Sequence, residues 1–141
     1  SDSLYVGTWG VALISYTGVS FPNNQWAEVQ IPAESSGQIF DLYVRYSGAY
    51  GSGTGYLLRF QDGGAPAIKS VAAGVETWLT LCGSYTAGHT YRLIANGTRI
   101  SVTDNGTETC SVTDSTATAG TPAIEMECNA TCPTVRNFQA D

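Results

Sequence analysis

Residues 91–113 read YRLIANGTRISVTDNGTETCSVT, and this stretch decides the fold. Asn-Gly occurs twice, at Asn96-Gly97 and Asn105-Gly106, and each pair supplies the positive φ angles that a two-residue hairpin demands. The segments between and around them, 91–95, 99–103 and 108–113, are strand-like, so the sequence predicts a three-stranded antiparallel meander. Outward from it the same pattern repeats. Residues 27–31 alternate, with Ala27, Val29 and Ile31 on one face and Trp26, Glu28 and Gln30 on the other. Residues 40–46 place Phe40, Leu42, Val44 and Tyr46 opposite Asp41, Tyr43 and Arg45. Further strands are expected at 56–60, 77–82, 123–128 and 134–139.

Helical periodicity is nearly absent, because Gly or Pro interrupts almost every window long enough for a helix. About nine or more short strands without helices imply an all-β protein, an antiparallel two-sheet sandwich that buries one face of each strand. The 141 residues suit a single domain spanning the chain.

Charged residues make up only 13% of the chain, and twelve acids against six bases leave a net charge of -6. Such a surface repels phosphate backbones and anionic headgroups, which argues against nucleic-acid and membrane-surface partners. No stretch has the length of a membrane span. Without an apolar leader at its start, the chain reads as a processed product or an excised domain. Residues 48–55, GAYGSGTG, have the glycine content of a phosphate-binding loop, but they lie between two expected strands and open no helix. A hairpin connection is the expected role.

Four cysteines, Cys82, Cys110, Cys128 and Cys132, point to disulfides and an oxidising, extracellular compartment. They allow three connectivities. Cys128 with Cys132, across the mouth of the last hairpin, is the expected pair, which leaves Cys82 with Cys110. Asn96-Gly97-Thr98, Asn105-Gly106-Thr107 and Asn129-Ala130-Thr131 are glycosylation acceptor triplets in expected turns. His89, the only histidine, is expected in an exposed loop, and Trp9 in core or edge packing.

The non-core faces of the expected strands carry Trp26, Glu28, Asp41, Tyr43, Arg45, Arg59, Trp78 and Arg92. If these strands share a sheet, they form a glycan platform centred on Trp26, Tyr43 and Trp78. Sugar C–H faces pack on aromatic rings, while guanidinium, carboxylate and amide groups satisfy hydroxyls. The competing arrangement packs the aromatics under loops or against a neighbouring subunit and pairs the arginines with Asp41 and Glu28.

A series of short motifs resembles one family. It comprises FPNNQWAEV at 21–29, VRY at 44–46, GYL at 55–57, YRL at 91–93 with NGT at 96–98, and VTDS at 112–115 followed by Gly120 and Pro122. In order and spacing it is similar to the concanavalin A-like (laminin G-type) lectin and glucanase superfamily, especially its bacterial extracellular modules. The resemblance implies a β-jelly-roll whose concave sheet binds glycans, sometimes with calcium at its rim. The aspartates in expected turns, Asp62, Asp104 and Asp114, are the calcium candidates, and no other cofactor is required. The chain departs from the family in its short segment before Phe21 and in its four cysteines.

The superfamily's glucanases carry a Glu-x-Asp-x-x-Glu strand, which is absent. The nearest feature is Glu125-Met126-Glu127, whose carboxylates leave one strand face roughly 7 Å apart. Glycosidase geometry allows that separation, but with Ile124, Met126 and Cys128 in the core the two glutamates are expected to be solvated. The sequence thus points to a non-catalytic, secreted carbohydrate-binding module with a glycan as its partner. The alternative is a structural subunit of an extracellular filament, surface layer or adhesin that self-associates through strand edges. A glycoside hydrolase or lyase ranks below both.

Overall fold

A computed structural model of the chain describes residues 3–5, 10–15, 19–32, 38–128 and 134–141. Twelve strands account for its regular structure: β1 Ser3–Tyr5, β2 Gly10–Ser15, β3 Gln25–Gln30, β4 Gln38–Ser47, β5 Thr54–Gln61, β6 Ala67–Ala72, β7 Val75–Leu81, β8 Thr90–Asn96, β9 Arg99–Asp104, β10 Thr107–Thr113, β11 Thr121–Cys128 and β12 Thr134–Ala140. No helix occurs among the described residues. Two six-stranded antiparallel sheets result. One has the order β1-β12-β3-β8-β9-β10 and the other β2-β11-β4-β5-β6-β7.

The sheets meet over a core to which both contribute alternate side chains. Phe40, Leu42, Tyr56, Leu58, Phe60 and Met126 of the second sheet face Val29, Tyr91, Leu93, Ile100 and Val102 of the first. Phe60 meets Tyr91 edge to face across the interface, with centroids 4.9 Å apart. Such a pair adds to the burial of apolar area that drives the sheets together.

The meander β8-β9-β10 forms as expected, but its two turns differ. Asn105 and Gly106 both take positive φ, 46° and 83°, the pattern of a type I′ turn. At the first turn Asn96 already pairs with Arg99. There the loop is Gly97-Thr98, with only Gly97 at positive φ, as in type II′. Strand β6 was not expected, because five of its six residues are buried and no alternation marks it.

Cys82, just after β7, bonds to Cys110 of β10 and so ties an edge strand of one sheet to an edge strand of the other. Cys128 is also oxidised. Its expected partner Cys132 lies outside the described residues, as do Trp9 and the Asn129 triplet. The Cys82–Cys110 bridge spans 28 residues. In the chain-entropy picture it contributes about 3 to 4 kcal/mol. Replacing both cysteines by serine is therefore expected to lower Tm by about 10 °C in scanning calorimetry. An unchanged Tm would contradict a stabilising role for this clamp.

Candidate functional site

The outward face of the second sheet carries a cluster of carboxylates, cations and aromatic rings. Register places Glu125 of β11 beside Asp41 of β4, Asp41 beside Arg59 of β5, and Lys69 of β6 beside Trp78 of β7. Arg59 grips both oxygens of the fully buried Asp41, at 2.9 Å and 2.5 Å. It also donates to both oxygens of Glu76, each at 2.8 Å. Lys69 Nζ donates to Glu76 at 2.8 Å and lies 4.3 Å from the centre of the Trp78 ring.

Burial pushes the Asp41 carboxyl up to about 7, against the opposing pull of Arg59. Burial likewise raises Glu125, whose Oε2 accepts a 2.6 Å hydrogen bond from the Tyr43 hydroxyl. Glu76 goes the other way: despite its partial burial, bonds from Lys69 and Arg59 hold it below the ordinary range.

A backbone irregularity shapes this face. Arg45 sits at φ 53° where the β4–β5 register shifts between Val44 and Ser47. The extra residue turns Tyr46 away from the core and onto the outer face, where its ring meets that of Tyr43 edge to face at 4.9 Å. The expectation that Tyr46 joins Phe40, Leu42 and Val44 is corrected by this bulge. Tyr43 and Tyr46 pack with Leu57, Val71 and Ala123 in a small apolar cluster separate from the main core.

Over that cluster lies a pocket of about 180 Å³, lined by Tyr43, Tyr46, Tyr50, Glu76 and Glu125. Its end is walled by the glycine-rich β4–β5 loop and the β6–β7 turn, joined by a 2.8 Å bond from Gly74 N–H to the Gly53 carbonyl. Glycine is required at Gly74, and Gly53 leaves the space that the end of the Tyr46 ring fills. A Cβ on Gly53 would lie 2.3 Å from the Tyr46 ring, and one on Gly74, at φ 82°, would lie 2.1 Å from the Gly51 carbonyl oxygen.

The eight residues expected on one platform are divided. Asp41, Tyr43, Arg59 and Trp78 share the pocket-bearing face. Trp26, Glu28 and Arg92 lie on the outer face of the other sheet, because β3 pairs with β8 and β12. There Arg92 stacks 4.1 Å from the Trp26 ring centre and bonds to Glu28 at 2.8 Å. Arg45 reaches neither surface. Its guanidinium donates to the carbonyls of Asn23, Gly97 and Ala117, which makes it a structural cross-link of loops. The arginine pairs Arg59–Asp41 and Arg92–Glu28 are those of the competing arrangement.

Tyr50 and Glu76 went unnoticed in the sequence, since one lies in the glycine loop and the other just ahead of the expected strand. Glu125, expected in solvent, is half-buried and lines the pocket.

The calcium candidates do not fit a metal site. Asp104 and Asp114 flank opposite ends of β10, and each is engaged: Asp104 by His89 Nδ1 at 2.7 Å, Asp114 by the Tyr56 hydroxyl and the Thr116 amide. Asp62 sits at positive φ in the β5–β6 turn of the other sheet. Among the described residues, no three His, Cys, Asp or Glu side chains gather where they could hold a metal ion. His89 is thus a half-exposed partner of Asp104. Asn96 and Asn105 are exposed at hairpin turns, as expected.

No protein-family model and no curated protein sequence matches the chain. Solved structures do. Carbohydrate-binding module CBM66 from Bacillus subtilis superposes with a TM-score of 0.73 at 12% identity, over 96% of this chain and 84% of that one. A prokaryotic β-1,3-1,4-glucanase (lichenase) derived from a mouse hindgut metagenome gives 0.65 at 13% identity, over 87% of this chain and 67% of that one. Sheep galectin-11 gives 0.60 at 12% identity, over 96% of this chain and all (100%) of that one. Strand order, sheet pairing and these superpositions together show that the chain has the concanavalin A-like jelly-roll fold of lectins and glucanases.

Proposed function

We propose that the chain is a non-catalytic, extracellular carbohydrate-binding module that holds its ligand in the Tyr43–Tyr46–Tyr50 pocket. The observation that carries this reading is the combination of three tyrosines and two carboxylates around one cavity on a sheet face. The exposed Tyr50 ring offers a stacking surface to sugar C–H groups beside the buried Tyr43 and Tyr46, and Glu76 and Glu125 offer acceptors for hydroxyls. The cavity is smaller than the roughly 300 to 1,000 Å³ of drug-sized sites, so it suits one sugar ring rather than a whole oligosaccharide. Trp78, exposed on the same face two residues beyond Glu76, extends the surface with a further plate for the next ring. The Cys82–Cys110 bridge supports an oxidising compartment, and no helix among the described residues is long and apolar enough to cross a membrane.

Screening the protein on a glycan array is expected to give binding that Tyr50→Ala reduces at least about tenfold, the loss of one well-used stacking contact. Tyr50 is 56% exposed, so its removal leaves the fold intact. The same ligand should not be cleaved. Glu125 and Glu127 share this face, and reducing-end release above the rate in buffer would favour a hydrolase instead.

A structural subunit is the second reading, favoured by one observation. Edge strand β7 exposes Val75, Trp78 and Leu81 beside its unpaired backbone edge. Concentration-dependent assembly in analytical ultracentrifugation, abolished by Leu81→Lys, would support it.

A further inference from the structure

The charge balance of the pocket face narrows the ligand class. Asp41 keeps its proton in the fold up to about 7, which leaves Glu76, Glu125 and Glu127 as the carboxylates that meet only two cations, Arg59 and Lys69, on the described part of this face. Both cations are committed. Arg59 bridges Asp41 and Glu76, and Lys69 bonds Glu76 while lying over Trp78. An incoming acidic sugar therefore meets no uncommitted positive group in the pocket, whose nearest charges repel it.

A cation meets the opposite situation. The buried Tyr43 and Tyr46 and the exposed Tyr50 line the cavity, and aromatic ring faces carry negative electrostatic potential. Tyr43 and Tyr46 also turn their hydroxyls aside, to Glu125 and to the Ala49 carbonyl at 2.9 Å, so their rings are fixed. Aromatic walls closed by carboxylates form the arrangement that holds ammonium groups by cation–π attraction and charge. Here Glu125 supplies the negative charge that the neighbouring cations leave uncompensated.

We propose that the pocket selects a glycan residue bearing a free ammonium group, such as a 2-amino-2-deoxyhexose that is not acetylated, and rejects uronates. The proposal rests on the carbohydrate-binding reading of the same pocket and names its ligand class.

Isothermal titration calorimetry at low salt and pH 6 tests it with three matched probes: glucosamine oligosaccharides, their N-acetylated counterparts and hexuronate oligosaccharides. The glucosamine probe should bind about tenfold tighter than the N-acetylated one, with no binding of the uronate. Glu125→Gln should remove that preference, whereas Trp26→Ala on the opposite sheet should leave it unchanged. Equal or tighter binding of the N-acetylated or uronate probe would overturn the ammonium proposal and leave the carbohydrate-binding reading standing. So would a preference that survives Glu125→Gln. Binding of none of the three also overturns it, and the glycan array then decides separately whether the pocket binds any sugar.

Discussion

Arg45→Met is expected to lower unfolding stability by at least about 4 kcal/mol, a large share of the roughly 5 to 15 kcal/mol that holds a domain together. Arg45 is 2% exposed, and its guanidinium satisfies three backbone carbonyls: Asn23 at 2.7 Å, Gly97 at 2.7 Å and Ala117 at 3.1 Å. Methionine fills similar volume but donates nothing, so three loops lose a charged donor each at a buried site. Gln25 completes the cross-link. Its Oε1 accepts from the Arg45 amide at 2.8 Å, while Nε2 donates to Pro22 and Gly120. Arg45→Lys should not restore stability, because one ammonium cannot span acceptors that a planar fork reaches in different directions. Urea unfolding measures this. A loss below about 1 kcal/mol would show that water replaces the guanidinium without cost.

Arg59→Met should cost about 3 to 5 kcal/mol at pH 8 and markedly less at pH 5. The variant strands Asp41, whose side chain is fully buried, without its bidentate partner. Without the guanidinium's pull the buried carboxyl keeps its proton beyond pH 7 in the fold, whereas the unfolded group is ionised at both pH values, so taking up that proton costs more at pH 8 than at pH 5. Asp41→Asn in the Arg59→Met background should recover much of the loss at pH 8.

The wild type shows a related trend. Asp41 holds its proton in the fold up to about 7 but releases it near 3.8 when unfolded. Between these values the native state binds the extra proton. This group's contribution is therefore complete below about pH 4 and lost as pH rises through 7. Glu125, raised by burial, acts in the same sense. Glu76 and Asp114, held low by their partners, act oppositely toward the acid end. Tm should thus rise from pH 8 to pH 5, and Asp41→Asn should flatten the rise. A wild-type Tm that falls over this interval would contradict the assignment.

The meander was legible because glycine turns and period-two alternation are local signals. Alternation also identified outward side chains such as Asp41, Tyr43 and Arg59, though on β4 it misplaced Arg45 and Tyr46. It does not tell which sheet a strand joins, and for that reason Trp26 and Trp78 were placed together although β3 and β7 belong to different sheets. The Arg45 bulge had no sequence signal, since arginine at positive φ is held by contacts with Asn23, Gln25, Gly97 and Ala117 rather than by its own preference. That single irregularity moved Tyr46 from the expected core to the pocket. Tyr50 could have been noticed as the lone large side chain among the glycines of residues 48–55. Its proximity to Glu76 arises only when that loop meets the β6–β7 turn.

The position of a bound sugar on this fold can be measured directly. Titrating the isotopically labelled protein with its best array ligand, while following amide and side-chain NMR signals, locates the contact. Shifts should concentrate at Tyr43, Tyr46, Tyr50, Gly53, Gly74 and Glu125, with the Trp26 indole unmoved. Shifts centred on Trp26, Glu28 and Arg92, with the tyrosine pocket silent, would contradict that placement.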